Sequence, residues 1–173
     1  MGKRSDFTRV PRDFYPTPYE AVIPVLPYLP DNCKFIEPCA GDGRLVTHLE
    51  KHGHTCVAQY DIDPVHGHPI GDMMSHQYPE ADHNKTVFIT NPPWNRKILH
   101  PVIENLSSQA MTFLLFDADW MHTKQSSQYM ENCVGVISVG RVKWIEGSKM
   151  TGKDNCAWYV FDNKPHDTVF IGR

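Results

Sequence analysis

The four residues Asn91-Pro92-Pro93-Trp94 have the types and the spacing needed to activate a planar amino group. Two adjacent prolines fix an extended turn and remove two N–H donors, so the backbone there presents carbonyl oxygens. The Asn91 side-chain oxygen and the Pro92 carbonyl can each accept one N–H of an NH2 group, which turns the nitrogen lone pair towards a methyl group. Trp94 offers a flat face for a base rotated out of its stack. The structural alternative is a Pro-Pro stop to a strand, followed by a core tryptophan.

The turn at residues 37–43, Glu-Pro-Cys-Ala-Gly-Asp-Gly, is the second chemically informative segment. Its glycines let a ligand approach the backbone closely, and Asp61, eighteen residues after Gly43, can accept hydrogen bonds from ribose hydroxyls. A dinucleotide site would have a third glycine where Val46 stands, and Glu37 would repel a pyrophosphate. The turn therefore favours a cationic ligand, and S-adenosylmethionine fits because it carries a sulfonium, an amino group and a ribose. A tight packing turn is the alternative.

Alternating strands and helices position these two motifs. Strands are predicted at residues 34–36, 55–60, 86–90, 111–116, 134–139, 142–145, 157–161 and 168–171. Helices are predicted at residues 44–52, 97–108 and 125–132. This order predicts an α/β domain, a mostly parallel sheet with helices on both faces and antiparallel edge strands at the C-terminal end. Residues 1–173 are expected to form one domain.

An additional short helix is predicted before the first strand. Thr17 would be its N-cap, Pro18 its first residue and Glu20 the reciprocal partner in a capping box. Pro24 and Pro27 follow within a few residues, so this helix should be short or kinked.

Four segments, read in order, resemble the motifs of a known enzyme family. They are Glu37-Pro38-x-Ala40-Gly41-x-Gly43, Asp61-Ile62-Asp63, Gly71-Asp72 and Asn91-Pro92-Pro93-Trp94. They resemble the amino-methyltransferase branch of the class I S-adenosylmethionine-dependent methyltransferases, in the motif order of N6-adenine DNA methyltransferases. The segment at residues 14–18, Phe-Tyr-Pro-Thr-Pro, resembles the N-terminal cofactor motif of small bacteriophage-type enzymes. The resemblance covers residues 14–120 and implies a Rossmann-like methyltransferase fold.

The resemblance also implies a role for each matching position. The catalytic set would be Asn91, Pro92, Pro93 and Trp94. The cofactor site would comprise Tyr15, Thr17, Pro18, Glu37, Pro38, Ala40, Gly41, Gly43, Asp61, Ile62, Asp72, Met73 and Asn91. Within that site, Glu37 would bind the amino group, Asp61 the ribose and Asp72 the adenine amino group. Ile62 would lie against the adenine ring.

Substrate contacts are predicted where cations and aromatic rings fall near the carboxyl ends of the strands, because such pairs bind phosphates and stack on bases. The candidates are Trp94, Arg96, Trp120, Arg141 and Lys143. Trp144 lies among the basic residues of segment 141–153, although an exposed hairpin explains that segment equally well. Residues 1–13 are predicted to form a basic N-terminal arm.

Composition excludes several other classes. A net charge of −3 with 40% hydrophobic and 21% charged residues indicates a globular protein rather than a uniformly basic nucleic-acid coat. No apolar run is long enough for a bilayer and no secretory signal is evident, so no membrane partner is expected. Five cysteines without a C-x-x-C pair predict a reducing, cytoplasmic setting. If the gene is phage-encoded, this would be the cytoplasm of a bacterial host. His66 and His68 lack metal-site spacing, so no metal is predicted.

Together these observations predict an S-adenosylmethionine-dependent methyltransferase that acts on an exocyclic amine. N6 of adenine in DNA is the preferred target, and DNA is preferred to RNA. N4 of cytosine and the amide nitrogen of a protein glutamine stay open, because an Asn-Pro-Pro turn serves any planar NH2. A catalytically silent cofactor- or DNA-binding module also stays open, because the length leaves no separate target-recognition domain. A partner chain or a second copy would then supply target recognition.

Overall fold

The computed structural model describes residues 14–147, 151–164 and 167–173. The strands are β1 (Lys34–Glu37), β2 (Thr55–Gln59), β3 (Thr86–Thr90), β4 (Met111–Asp117), β5 (Cys133–Arg141), β6 (Asn155–Phe161) and β7 (Val169–Ile171). The α-helices are α1 (Tyr19–Val22), α2 (Arg44–Glu50), α3 (Arg96–Ser107) and α4 (Ser127–Met130). Short 3-10 helices cover Leu26–Tyr28, Pro64–His66, Ala118–His122 and Lys124–Ser126. The predicted basic arm at 1–13 lies outside the described residues.

The seven strands form one sheet in the order β2-β1-β3-β4-β6-β5-β7. Neighbours from β2 to β4 are parallel, β6 is antiparallel to both β4 and β5, and β7 is parallel to β5. The predicted α/β class and mixed, mostly parallel sheet are therefore confirmed. The antiparallel strand β6 lies inside the sheet rather than at its edge, because it pairs with β4 from Thr112↔Phe161 to Asp117↔Cys156.

Apolar side chains on both faces of the sheet fix the layers. Along a strand, successive side chains point to opposite faces, so Phe35 packs with α1 and α2 whereas Ile36 packs with α3. Helix α2 buries Leu45, Val46 and Leu49 against the first of these faces. Helices thus cover both faces, as predicted. In the described part of the chain, no helix has the length and apolar character needed to cross a membrane.

The start of α1 differs from the sequence prediction. The helix begins at Tyr19, with Pro18 at the N-cap position and no side-chain cap, so Thr17 is not the cap. The capping-box prediction for Glu20 is also wrong, because its carboxylate accepts the backbone N–H of Lys143 at 2.6 Å. A long-range contact takes the place of the local one. The helix spans only four residues before the prolines, as expected.

The segment after β5 is the other difference. Residues 142–145 were predicted to form a strand, but they form a loop, in which the Lys143 N–H donates to the Glu20 side chain rather than to a neighbouring strand. The Val142 carbonyl then accepts the Gly152 N–H at 2.7 Å. Helices α2 and α4 are also shorter than the predicted 44–52 and 125–132.

Candidate active site

The topological switch point of the sheet lies between β1 and β3. The chain leaves β1 towards β2 on one side and leaves β3 towards β4 on the other, and the two strands are hydrogen-bonded neighbours. In open α/β sheets, ligands bind outside the carboxyl ends of the strands at such a point. Glu37 ends β1 and Thr90 ends β3, directly before Asn91. The topology therefore brings the glycine turn and the Asn-Pro-Pro-Trp motif together.

Backbone hydrogen bonds and two left-handed glycines shape the turn after β1. Gly41 has φ 53° and Gly43, the N-cap of α2, has φ 76°, conformations in which L side chains are strained. The Ala40 N–H donates to the Tyr60 carbonyl at 2.9 Å, which ties the turn to the end of β2. A Cβ at Gly41 would come within 2.8 Å of the Phe14 ring, so glycine also admits the N-terminal segment.

Asp61 anchors this turn. Its Oδ2 accepts the Gly41 N–H and its Oδ1 accepts the Asp63 N–H, each at 2.8 Å, and the side chain is buried. Each carboxylate oxygen keeps a second lone pair, so contact with a ribose stays a prediction. Ile62 follows with its side chain 54% exposed, as an adenine-facing residue requires before a ligand binds.

Asp72 and Met73 are held close to Asp61 by the backbone. The Gly71 N–H donates to the Asp61 carbonyl at 3.1 Å. Asp72 Oδ1 accepts the Met74 N–H at 3.0 Å, and Met73 is buried in the core under α3. The two acidic residues predicted to bind ribose and adenine are therefore neighbours in space.

Glu37 is the most unusual side chain of the site. It is 1% exposed, and its Oε1 accepts the Cys39 N–H at 3.3 Å. Its Oε2 and the Thr90 hydroxyl lack a partner of standard hydrogen-bond geometry among the described residues. Burial raises the pKa of Glu37 well above its ordinary value, and the Thr90 hydroxyl and the Cys39 N–H only partly offset this. A buried acceptor without a partner suits a cationic ligand, so the site fits the amino group of S-adenosylmethionine. Pro38 and Ala40 beside it are buried.

Asn91 is oriented by the N-terminal segment. Its Nδ2 donates to the Tyr15 carbonyl at 3.2 Å, and because a carbonyl only accepts, this contact fixes which way the amide faces. Among the described residues, Asn91 Oδ1 has one long contact, the Trp94 Nε1–H at 3.4 Å. The same segment continues through buried Thr17 and half-buried Pro18 to α1. Pro92 is buried and Pro93 half-buried.

Aromatic rings from three separate segments meet beside Asn91. The Trp94 and Trp144 rings are edge to face, with centroids 5.8 Å apart, and Tyr15 contacts Trp144 with centroids 6.4 Å apart. Trp144 is held there by the Glu20 contact to its neighbour Lys143. Trp94 and Trp144 are both half-buried, so each keeps part of its ring available.

The other predicted substrate residues divide into two groups. Arg96, Arg141 and Lys143 are exposed. Arg141 is the last residue of β5, whereas Arg96 and Lys143 follow the carboxyl ends of β3 and β5. Arg96 also donates to Gln125 at 2.9 Å. Trp120 is 2% exposed and donates to His100 in the core, so the structure does not bring it to the surface. Sequence reasoning missed Thr90, although its position directly before Asn91 at a strand end was a usable signal. In the three described ranges, no group of three or more His, Cys, Asp or Glu side chains is placed to hold a metal.

Comparison with known proteins supports the fold. No protein-family model matches the sequence, and no curated protein sequence matches it. A Pyrococcus horikoshii protein, for which an RNA methyltransferase activity has been suggested, is 15% identical with a TM-score of 0.59, over 92% of this chain and 91% of that one. A TehB-like S-adenosylmethionine-dependent methyltransferase of Corynebacterium glutamicum is 18% identical with a TM-score of 0.51, over 84% and 88%.

A third similar structure is the methyltransferase subunit of a type I restriction-modification system from Streptococcus thermophilus. It is 11% identical with a TM-score of 0.59, over 91% of this chain and 47% of that larger one. At such identities the likeness concerns the fold. The chain has the Rossmann-like fold of class I methyltransferases.

Proposed function

We propose that this protein transfers a methyl group from S-adenosylmethionine to an exocyclic amine of a nucleic-acid base, N6 of adenine in DNA. The observation that carries the proposal is a pairing of two groups on adjacent strand ends. One is the buried carboxylate of Glu37, with an oxygen that has no partner of standard hydrogen-bond geometry in the described chain, and the other is the Asn91 amide oxygen, which has one long contact there. The first suits an ammonium group and the second suits the N–H of an amine.

The cofactor-binding roles are those that the motif resemblance implies. Glu37 would hold the amino group, the turn at Gly41 and Gly43 would admit the cofactor, and Asp61 and Asp72 would hold its ribose and adenine. Bound S-adenosylmethionine supplies a methyl carbon on a sulfonium, and as the new N–C bond forms, the C–S electron pair stays on sulfur and leaves a thioether.

The catalytic motif would position the amine rather than remove its proton. The Asn91 oxygen and the Pro92 carbonyl each accept one N–H, so the amine takes the place of the long Trp94 contact on Asn91. After transfer the nitrogen carries one proton too many, and that proton passes to water, because neither an amide nor a prolyl carbonyl is a base at neutral pH. Trp94 and Trp144 provide faces on which a base rotated out of its helix can stack.

A product digest tests this proposal. The protein is incubated with methyl-labelled S-adenosylmethionine and, in separate reactions, double-stranded DNA of mixed sequence, RNA and a protein extract. Labelled N6-methyladenine from DNA is the expected product, and the Asn91→Ala variant serves as the control for contaminating activity. Label in RNA adenine would exclude the DNA preference, and label in N4-methylcytosine or glutamine would exclude the adenine target. Cofactor bound without any transfer would identify a silent module.

A further inference from the structure

A cluster of two buried and two half-buried aromatic rings lies on the face of the sheet that α3 covers. It consists of Tyr60, His76, Tyr78 and Phe88. The ring of Tyr78 is central to it, with centroid distances of 5.2 Å to Tyr60, 4.6 Å to His76 and 5.0 Å to Phe88. Phe88 pairs with Ile36 across β3 and β1, so the cluster lies next to the switch point.

The two tyrosine hydroxyls of this cluster differ. The Tyr60 hydroxyl donates to the carboxylate of Glu80 at 3.2 Å. The Tyr78 side chain is 4% exposed, and its hydroxyl has no hydrogen-bond partner in the part of the chain that the structure describes. Buried hydroxyls are nearly always paired, so this exception calls for a ligand or another explanation.

The surroundings of the Tyr78 hydroxyl connect it to the adenine end of the site. Gly71, directly before Asp72, lies against the side chain of Tyr60, which a Cβ at Gly71 would meet at 3.2 Å, and the Tyr60 ring contacts that of Tyr78. Burial raises the pKa of Tyr78, and the charges of Asp72, Cys39 and Glu37 raise it further. The hydroxyl therefore stays protonated and can donate a hydrogen bond.

We propose that Tyr78 binds the purine of the cofactor, donating its hydroxyl proton to a ring nitrogen while Asp72 accepts the amino group. This inference rests on the proposed function and adds a specificity determinant to it. Adenine presents an amino donor beside a ring-nitrogen acceptor, and the Asp72 carboxylate (an acceptor) with the Tyr78 hydroxyl (a donor) complements this pair. Hypoxanthine presents an oxygen acceptor beside an N–H donor, which opposes the same pair. The site thus distinguishes the two purines.

Binding of methylthioadenosine tests the inference, because this compound has the purine and ribose but lacks the amino acid. Titration calorimetry compares the wild type with Tyr78→Phe, and with Tyr60→Phe as the matched control. We expect Tyr78→Phe to weaken methylthioadenosine binding by roughly 5- to 50-fold, the range for an unpaired hydrogen-bonding group. Tyr60→Phe should leave the affinity within roughly threefold, because its hydroxyl is bonded to Glu80.

Melting temperatures separate a binding role from a structural one. Tyr78→Phe removes a hydroxyl that has no partner in the described chain, so the free protein should melt no lower than the wild type. Tyr60→Phe should melt lower because it loses the Glu80 contact. Unchanged methylthioadenosine affinity in a folded Tyr78→Phe variant overturns the inference.

A second measurement needs no variant. The wild type should bind methylthioadenosine at least roughly tenfold more tightly than methylthioinosine, and equal binding of the two compounds contradicts the inference. Failure of the proposed function would give a different result. In that case the wild type would bind neither S-adenosylmethionine nor methylthioadenosine, because it would have no cofactor site.

Discussion

Replacing Glu37 with glutamine should stabilise the free protein and at the same time weaken cofactor binding. The carboxylate is buried with one oxygen lacking a partner in the described structure, and burial raises its pKa. Glutamine keeps an oxygen that can accept the Cys39 N–H. Its NH2 group can donate to the Thr90 hydroxyl, which has no partner of standard geometry among the described residues. The variant therefore removes a cost from the free state but also removes the charge that would pair with an ammonium group.

The magnitudes follow from the burial of this side chain. Relief of an unsatisfied buried group is worth about 1–3 kcal/mol, which for a chain of this size raises the melting temperature by roughly 2–12 °C. Loss of one partner of a buried ion pair costs about 3 kcal/mol or more, so S-adenosylmethionine should bind roughly 10²-fold more weakly. Methylthioadenosine, which lacks the amino group, should bind the variant and the wild type equally.

The pH dependence has a definite sign. Because folding raises the pKa of Glu37 above its ordinary value of 4.5, the group favours folding when protonated and opposes it as the pH rises. The stability advantage of Glu37→Gln should therefore appear above pH 4.5 and grow up to the raised pKa. An ammonium ligand selects the ionised form, so cofactor binding to the wild type should release protons and tighten with increasing pH over the same interval.

Thermal melts between pH 4 and 8, with calorimetry in two buffers of different ionisation enthalpy, measure these effects. Glu131→Gln is the matched control, because Glu131 is exposed near the end of α4 and its substitution should change neither quantity. A Glu37→Gln variant that melts lower than the wild type, or that binds S-adenosylmethionine equally well, would refute the reasoning.

Three further substitutions separate the parts of the site. Asn91→Ala should lower the rate of single-turnover methyl transfer by roughly 10²-fold or more, while its cofactor affinity stays within a few-fold of that of the wild type. Asn163→Ala, at an exposed position, is the control. In Asp61→Asn, the single side-chain oxygen can accept only one of the two backbone N–H groups that Asp61 accepts. Calorimetry should therefore show weaker cofactor binding, and melting should show a loss of about 1–3 kcal/mol of stability. Trp144→Ala should raise the KM for nucleic acid by roughly 5- to 100-fold, measured by steady-state kinetics, while cofactor affinity stays within roughly twofold.

The sequence was informative wherever the fold places consecutive residues predictably. Glu37 ends one strand and Asn91 follows its neighbour, and the carboxyl ends of neighbouring parallel strands meet at one edge of the sheet. The glycines at 41 and 43 were expected to form an open turn that a ligand can approach, and both adopt positive φ, which a residue without a Cβ tolerates. The sheet and the pairing of the two motifs could therefore be predicted.

Contacts between distant segments could not be predicted from local pattern. Glu20 has the spacing of a capping box, yet its carboxylate accepts an N–H from residue 143. Trp120 follows the carboxyl end of a strand, which predicted a place at the substrate site, but its N–H finds a partner in His100, and this satisfied donor lets the ring enter the core. In both cases a long-range hydrogen bond overrides the local signal.

The polar groups at the switch point fall into two classes that together argue for a ligand. Asp61 and the Asn91 NH2 are bonded to backbone groups, so they shape the site in the free protein. Five buried side-chain atoms lack a partner of standard hydrogen-bond geometry in the described residues, and two of them, Glu37 Oε2 and Thr90 Oγ1, lie at the switch point. These two atoms come from strands that are hydrogen-bonded neighbours, so one ligand can meet both of them. A ligand that supplies their missing partners must bind the folded chain in preference to the unfolded one, so S-adenosylmethionine should raise the melting temperature of the wild type.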